Sequence, residues 1–394
     1  MGGGTLVLIV ALGTSLVWAG LVARRAALSE RTVLLVAVAL RLPFFFVPYA
    51  SDDLHRYVWE GRIQAAGFNP FALAPDDPAL AHLRDESHGK IGHPEYPTIY
   101  PPLAQALFLA TTALGGRERA LRNLILVLDV AVVAAILAWL RRAGRPPRDA
   151  ILYAWCPLAI AAAGTGHVDP LMLLALAGAG WALSAARPRT AALLLGAAIL
   201  AKTVAVLLVP WFAWRHRRAA AIVAAVVILG YAPYLPAGGI FDTLGHFATR
   251  FAFNGSLFRL AELAAPDHAR TIAGVALVAW VAAVTGRAPT YAVAATAAFA
   301  GLLALSPTVH LWYLTWFLVA LPAIGARAAI APLVAWAVST SFAVETYRAA
   351  ASGGAFEEHF GMTALEYAIP AGVALAIALR ARYRRRLDSD AVTS

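Results

Sequence analysis

Long apolar runs recur along the whole chain, and they limit what it can fold into more than any other feature. Each run has about 17–25 residues, the length that an α-helix needs to cross roughly 30 Å of hydrocarbon. Hydrophobic residue types make up 61% of the chain and charged types only 14%. This composition excludes a disordered chain and argues against a soluble domain. The sequence therefore predicts an all-α protein, a polytopic transmembrane helical bundle.

The charged residues divide the loops between the runs into two sets. Most acids lie in the loops 50–100, 237–268 and 347–362. The arginine clusters of the other set lie at 24–31, 141–148, 187–189, 215–218, 287, 327 and 380–386. Because cytoplasmic loops carry the excess of Lys and Arg, the pattern predicts an N-terminus outside and a C-terminus inside. It also accounts for the net charge of +10 without a nucleic-acid partner.

We expect about 12 to 13 spans in a single domain, 1–394, made of an outer loop at 50–120 and most spans in 121–380. Residues 103–114 are apolar but too short to cross, so we place them in a helix at the outer interface. The predicted spans lie near 5–22, 32–49, 121–140, 150–166, 169–186, 190–214, 219–235, 269–286, 289–306, 311–326, 328–346 and 363–380.

The stretch 190–214 does not fit a simple span, because arginines precede it and follow it. Both ends then belong in the cytoplasm, and so few residues cannot cross twice as full helices. We expect the stretch to enter the membrane, break near Lys202–Thr203, and return as two short helices. A break places Lys202 at a polar site and relieves the cost of about 2.5–3.5 kcal/mol for a charge at the centre of a span.

The outer loop begins with two neighbouring acids, Asp52 and Asp53, at the start of a predicted helix. In one interpretation they only begin that helix, with Ser51 as its N-cap and the acids stabilised by the helix dipole. In the other, Asp53 and Tyr57 share a helical face, Asp52 pairs with Arg56, and a carboxylate near the membrane surface acts as a general base.

Two further outer segments contain candidate site residues. The segment 93–105 is either a rigid proline-rich loop or one wall of a sugar or phosphate pocket formed by His93, Tyr100 and Gln105. In 166–170, His167 and Asp169 either orient a substrate or cap the next helix.

Cations and aromatic residues later in the chain suggest a site for an anionic, sugar-bearing ligand. Lys202 beside a broken helix can bind an anion, and Arg250 and Arg259 break the charge bias of the outer loops. The segment 305–317, with His310 and Tyr313, is either an aromatic belt or a surface on which a sugar stacks. No His/Cys/Asp cluster has a ligand spacing, so we predict no metal site, although the two neighbouring acids leave a divalent cation possible.

Together, SDDLHRYVWEG…GFNPF, YPTIYPPLAQALF, GHVDP, the helix broken at Lys202, RFAFNGSLF and LSPTVHLWYLTW resemble the glycosyltransferase C superfamily. These integral-membrane enzymes use polyprenyl-phosphate sugars. More narrowly, the chain is similar to bacterial polyprenyl-phosphate mannosyltransferases. The resemblance implies that Asp53, with Tyr57 at the usual spacing, is the general base, and that Asp52 shares or replaces it. It implies that Lys202 holds the donor phosphate, with Arg250 and Arg259 as further candidates.

The resemblance predicts an inverting transfer of a hexose, in this family mannose, to a glycolipid or glycan at the outer face of the cell membrane. A lipid-linked donor suits that face because nucleotide sugars are absent there, and polyprenyl phosphate leaves without a protonating acid. No cofactor is expected. The alternatives are a ligase that transfers a whole lipid-linked glycan and a polyisoprenoid or glycolipid transporter. The predicted substrate-binding residues are Arg56, Tyr57, His93, Tyr100, Gln105, His167, Asp169, Asn254, His310 and Tyr313.

Overall fold

A computed structural model describes residues 3–24, 27–47, 51–325, 327–344, 346–347 and 358–393. These residues form helices and no β-strand, apart from one isolated bridge, so the predicted all-α class is confirmed. The α-helices in chain order are α1 Gly3–Ala23, α2 Glu30–Arg41, α3 Asp52–Ala65, α4 Pro102–Ala113, α5 Glu118–Arg142, α6 Ile151–Ala154, α7 Pro157–Thr165, α8 Asp169–Ser184, α9 Pro188–Ala201, α10 Val209–Arg215, α11 Arg217–Tyr231, α12 Asp242–Arg250, α13 Leu257–Ala264, α14 Ala269–Arg287, α15 Tyr291–Leu305, α16 Thr315–Leu318, α17 Arg327–Ser339 and α18 Phe360–Thr393.

Four helical stretches of the described chain are long and apolar enough to cross a membrane. Eight further apolar stretches have only 10–17 residues. Many of the predicted spans are therefore shorter or divided helices. Most of the predicted outer loop 347–362 lies outside the described residues. The four long stretches are Glu118–Arg142, Arg217–Ala237, Pro266–Arg287 and Phe360–Tyr383.

Two predicted spans are broken for identifiable reasons. The stretch 150–166 is divided into α6 and α7, and Pro157 is the first residue of α7. Proline has no N–H and a fixed φ, so it starts a helix more readily than it continues one. In 190–214, α9 ends at Ala201, Lys202 is extended with φ −155° and ψ 122°, and a 3-10 turn leads into α10. The predicted break at Lys202–Thr203 is confirmed.

The helix α5 organises the fold. It packs against α8, which in turn packs against α9, and α3 packs on α4. The last pair approaches closely at Gly61, where an added Cβ would lie 2.4 Å from Phe108 O. Near the other face of α5, Asp129 is fully buried and accepts hydrogen bonds from Arg41 at 2.6 Å and Tyr153 at 2.5 Å. These contacts join α2, α5 and α6.

The polar loop helix α3 lies toward the Glu118 end of α5. His55 Nδ1 is 3.1 Å from Glu118 Oε1, and Leu54 and Tyr57 share a buried cluster with Leu121. The short helix α4, which matches the predicted interfacial helix 103–114 in extent, completes this region. The two acids therefore begin a helix anchored at one end of the bundle.

Candidate active site

Asp52 and Asp53 occupy the first turn of α3. Ser51 is the N-cap residue, as predicted, but its hydroxyl makes no capping bond and is buried without a partner among the described residues. Instead, the backbone N–H of Asp53 donates to Asp52 Oδ1 at 3.0 Å. Asp52 is exposed, but its carboxyl group is partly desolvated. This desolvation and the negative charge of Asp53 raise the pKa of Asp52. Ser51 is therefore the N-cap residue without the capping bond, and Asp52 satisfies one of the first N–H groups of the helix.

The carboxylate of Asp53 is held by three side chains from three parts of the chain. Tyr100 OH donates to Oδ1 at 3.1 Å, and His167 Nδ1 lies 3.1 Å from Oδ2. Tyr57 OH donates to Oδ2 over a longer 3.4 Å. Burial by itself raises the pKa of Asp53, but neighbouring groups, His167 first, outweigh burial and lower the pKa to about 2. Asp53 is therefore ionised at neutral pH, while 29% of its side chain stays exposed.

Lys202 and Asp169 form an ion pair beside this carboxylate. Lys202 Nζ donates to Asp169 Oδ1 at 2.8 Å, and Trp316 Nε1 donates to the same oxygen at 2.5 Å. Asp169 Oδ2 is buried with no partner in the described part of the chain. The ammonium also lies 5.1 Å from the ring centroids of Tyr313 and Trp316. An ammonium has three donors, and one of them satisfies Asp169, so Lys202 can still bind an anion.

A stack of rings joins the 305–317 segment to this pair of charged sites. Trp312 stacks on His167 with 3.6 Å between ring centroids, and on His310 with 4.6 Å. His310 Nδ1 lies 2.6 Å from Tyr347 OH. Burial lowers the pKa of His310 to about 3, so its imidazole is neutral at pH 7. The stack therefore fixes the His167 ring beside the carboxylate of Asp53.

A cavity of about 390 Å³ opens beside Lys202. Apolar side chains of α12, α14 and α15 form most of its wall, and α14 belongs to a long apolar stretch that is little buried. Tyr100, Lys202, Thr203 and Arg270 also line it. Because Tyr100 lines the cavity and also binds Asp53, the carboxylate lies next to the polar end of an apolar cavity.

The fully buried Glu60 fixes the segment that leads to Tyr100. It accepts hydrogen bonds from Arg56 at 2.9 Å, Thr98 at 2.8 Å and Gln105 at 2.6 Å. Arg56 also donates to four backbone carbonyls in 92–97, at 2.7–3.3 Å. Arg56 and Gln105, which we predicted to bind substrate, thus use their polar groups inside the protein and position the loop.

Replacing Arg56 with Ala is expected to lower the free energy of unfolding by on the order of 3–5 kcal/mol, because it strands the buried carboxylate of Glu60. The midpoint of thermal unfolding in one detergent measures the effect. Arg62→Ala is the matched control on the same helix, since its pair with Asp85 is partly exposed and is worth about 1 kcal/mol or less. Equal shifts for the two variants would contradict the positioning role of Arg56.

The side chain of Asn254, another predicted substrate-binding residue, is also buried and bonded inside the protein. Its residue is 1% exposed, and Nδ2 donates to Glu366 Oε2 at 3.1 Å. The neighbouring Phe253 forms the isolated bridge with the 305–317 segment, where Val309 N–H donates to Phe253 O at 2.8 Å. Asn254 thereby supports the segment that carries His310.

Three predicted site residues lie apart from this cluster. Arg250 and Arg259 are exposed, and Arg259 Nη1 pairs with Glu262 at 2.5 Å. Within the described chain neither arginine lines the cavity of Lys202. His93 is about half exposed and lies 3.4 Å from Glu95. The structure therefore brings Lys202 to the acids but leaves the two arginines outside.

Sequence reasoning missed Trp316 and Arg270. Trp316 follows Tyr313 at helical spacing, a signal that would have placed both rings on one face. Arg270 is a cation at the predicted outer end of a span. It is the same exception to the charge bias that made Arg250 a candidate for phosphate binding. It lines the cavity and donates to Ala248 O at 2.7 Å.

No group of three or more His, Cys, Asp or Glu residues that could hold a metal ion occurs among the residues that the structure describes. The prediction of no cofactor, with a divalent cation left possible at Asp52 and Asp53, stays a prediction.

A family model described as "Alpha-(1->6)-mannopyranosyltransferase, N-terminal domain" matches residues 2–218, more than half of the chain. The matched range contains Asp53, His167, Asp169 and Lys202, whereas His310 lies beyond it. No curated protein sequence matches the chain.

Proposed function

Because the chain belongs to the alpha-(1->6)-mannopyranosyltransferase family, we propose that it moves mannose from a polyprenyl-phosphate donor to a glycolipid or glycan at the outer face of the cell membrane. The protein is a glycosyltransferase that transfers mannose, and its long apolar helices make it a membrane protein. One observation supports the proposal of a lipid-linked donor. A cation, Lys202, lines the polar end of a cavity whose wall is mostly apolar, and an ionised carboxylate, Asp53, lies next to that end through Tyr100.

The cavity suits a donor with a long hydrocarbon chain and an anionic head. Its volume of about 390 Å³ and apolar walls favour burial of isoprene units. Lys202 and Thr203 lie where the phosphate would then sit, and a charge-assisted hydrogen bond from Lys202 favours a phosphate oxygen. Stacked Tyr313 and Trp316 keep the ammonium in place.

Asp53 is proposed as the general base. As the acceptor oxygen attacks the anomeric carbon, its proton moves to a carboxylate oxygen of Asp53, and the bond from carbon to phosphate oxygen breaks. A carboxylate with a pKa of about 2 is a weak base, so it takes the proton late, when bond formation has made the hydroxyl acidic. Lys202 stabilises the charge that grows on the departing phosphate.

The same geometry favours direct displacement with inversion. A glycosidase uses two carboxylates about 5–10 Å apart across the reacting bond. Here Asp52 is exposed and accepts from the backbone N–H of Asp53, whereas Asp53 is turned inward to His167 and Tyr100. The second buried carboxylate, Asp169, is already paired with Lys202 and Trp316. Asp53 as the base, with Lys202 beside the phosphate, supports a single step in which the phosphate leaves unprotonated.

The charge distribution supports an extracytoplasmic site. Arg24, which follows α1, and the arginines 141–148 at and after the end of α5 lie at the end of the bundle away from Asp53, as the positive-inside rule expects of a cytoplasmic end. The Glu118 end of α5 also carries Arg119 and Arg122, so the contrast rests on the loops as a whole. A lipid-linked donor is the form of activated sugar that suits the opposite face.

The donor class is tested with purified protein in lipid, incubated with radiolabelled polyprenyl-phosphate mannose, glucose or arabinose and a membrane glycolipid acceptor. We expect label to pass to the acceptor from the mannose donor, at least about tenfold faster than from the other two. GDP-mannose in place of the lipid donor is expected to give no transfer. Transfer from GDP-mannose, or none from any lipid-linked sugar, would contradict the proposed donor.

A variant that widens the cavity, Leu277→Ala, is a matched control for that test. It changes the apolar wall on α14 and leaves Lys202 and Asp53 in place. It is expected to raise the KM for the long-chain donor and to affect a short-chain donor much less, because only the long chain reaches that wall. An equal effect on both donors would place the hydrocarbon chain elsewhere.

A further inference from the structure

A second cavity lies beyond the opposite end of α5 from Asp53. It has about 150 Å³, roughly ten times the 10–15 Å³ that one water requires. Leu21, Leu152 and Ile330 are among the apolar residues that line it. Since α5 has 25 residues at about 1.5 Å each, nearly the thickness of a bilayer separates this cavity from the site of Asp53. The two cavities are therefore distinct sites.

Three arginines, Arg24, Arg145 and Arg148, also line the second cavity, together with one acid, Asp149. Arg145 Nη2 pairs with Asp149 at 2.7 Å. Arg148 Nε also lies 4.0 Å from Asp149 Oδ1. Among the described lining residues, one acid therefore faces three arginines around a small, largely apolar space. Ordinary arginines at a cytoplasmic membrane surface extend into water, whereas the side chains of Arg145 and Arg148 are only 31% and 28% exposed.

The backbone is shaped around Arg145. Gly325 has φ +79°, a conformation that favours glycine, and a Cβ added there would lie 2.3 Å from Arg145 Nη1. The guanidinium therefore lies directly on the glycine, at the edge of the cavity. Its Nε is buried without a hydrogen-bond partner in the described part of the chain. Arg145 is thus held in place while part of its donor capacity is unused.

We propose that this cavity binds the headgroup of an anionic phospholipid, with its phosphate at Arg145 and Arg148 and the start of an acyl chain on the apolar wall. A guanidinium matches phosphate oxygens in geometry and charge, and apolar residues beside it suit a lipid better than a free anion. The loops that converge here are the arginine-rich ones that we predict to be cytoplasmic, and the cytoplasmic leaflet carries anionic lipids.

The test uses the full-length protein in discs of phosphatidylcholine with increasing phosphatidylglycerol, and measures retained lipid by native mass spectrometry and the midpoint of thermal unfolding. We expect phosphatidylglycerol to be retained about tenfold over phosphatidylcholine, and Arg148→Gln to lose most of that preference. Arg145→Gln should do the same. Arg189→Gln is the control, because Arg189 lies in the first turn of α9, is exposed, and does not line the cavity among the described residues.

Three results would overturn the proposal. These are equal retention of the two lipids by the unmodified protein, an equal loss in Arg189→Gln, and protection by inorganic phosphate as strong as that by phosphatidylglycerol. The first comparison needs no variant, so it holds even if Arg145→Gln fails to fold. Mannosyl transfer does not enter the measurement, so its outcome is independent of the proposed catalytic mechanism.

Discussion

Asp53→Asn is expected to reduce the rate of mannosyl transfer by about a thousandfold, within the 10²–10⁴ range typical of general base catalysis. The amide keeps the size of the side chain, and its oxygen can still accept a hydrogen bond from Tyr100. It cannot take the proton of the acceptor. Donor binding should therefore persist, and single-turnover transfer from labelled polyprenyl-phosphate mannose, with donor affinity measured separately, distinguishes the two effects.

Asp52→Asn is the matched control for this prediction. Asp52 precedes Asp53 on α3, is exposed, and bonds the backbone N–H of Asp53. An asparagine can keep that capping bond. We expect the rate of transfer to stay within about threefold of that of the unmodified protein, because the bond to the backbone N–H is kept and Asp53 is unchanged. A larger loss in Asp52→Asn than in Asp53→Asn would move the base to Asp52, and full transfer by both variants would remove the base from this helix.

The pKa of Asp53 gives this prediction a second readout. With a pKa of about 2, Asp53 is ionised from pH 5 to pH 8, so its own titration contributes no change of rate over that range. Tyr100→Phe removes one hydrogen bond that favours the ionised form, which raises the pKa of Asp53. We expect the loss of activity on the acid side to move to higher pH in Tyr100→Phe.

Local features of the sequence predicted the parts of the site that depend on a few neighbouring residues. The break at Lys202 follows from a cation in a short apolar run with arginines on both sides. The contact between Tyr57 and Asp53, at 3.4 Å, follows from the helical face that the two residues were predicted to share. Both features are contained in segments of a single helix or its end. The fold class follows in the same way from the apolar runs.

The partners of these residues depend on packing between distant segments. Lys202 and Asp169 are 33 residues apart and meet because α8 packs on α9. The i,i+4 rule offered Asp52 as the partner of Arg56, but Arg56 binds Glu60, also four residues away, and the carbonyls of a later loop. Spacing leaves both partners possible, and burial of Glu60 decides between them.

Lys202→Met is expected to weaken donor binding by roughly thirtyfold or more, equivalent to ~2 kcal/mol, because it removes the cation beside the proposed phosphate position and keeps an apolar stem of similar length. The rate of transfer at saturating donor should fall less. Equilibrium binding of polyprenyl-phosphate mannose and single-turnover transfer measure the two quantities.

Loss of Lys202 also strands the buried carboxylate of Asp169, so a general loss of fold has to be separated from loss of the phosphate contact. The double variant Lys202→Met, Asp169→Asn removes the stranded charge, and its asparagine can still accept from Trp316 Nε1. We expect the double variant to recover the midpoint of thermal unfolding but not the affinity for donor. Recovery of donor affinity together with stability would assign Lys202 a purely structural role, because the ion pair with Asp169 would then be all that the lysine contributes. Stability without affinity leaves phosphate binding as its function, since the two variants share the missing ammonium and differ only in the charge of Asp169.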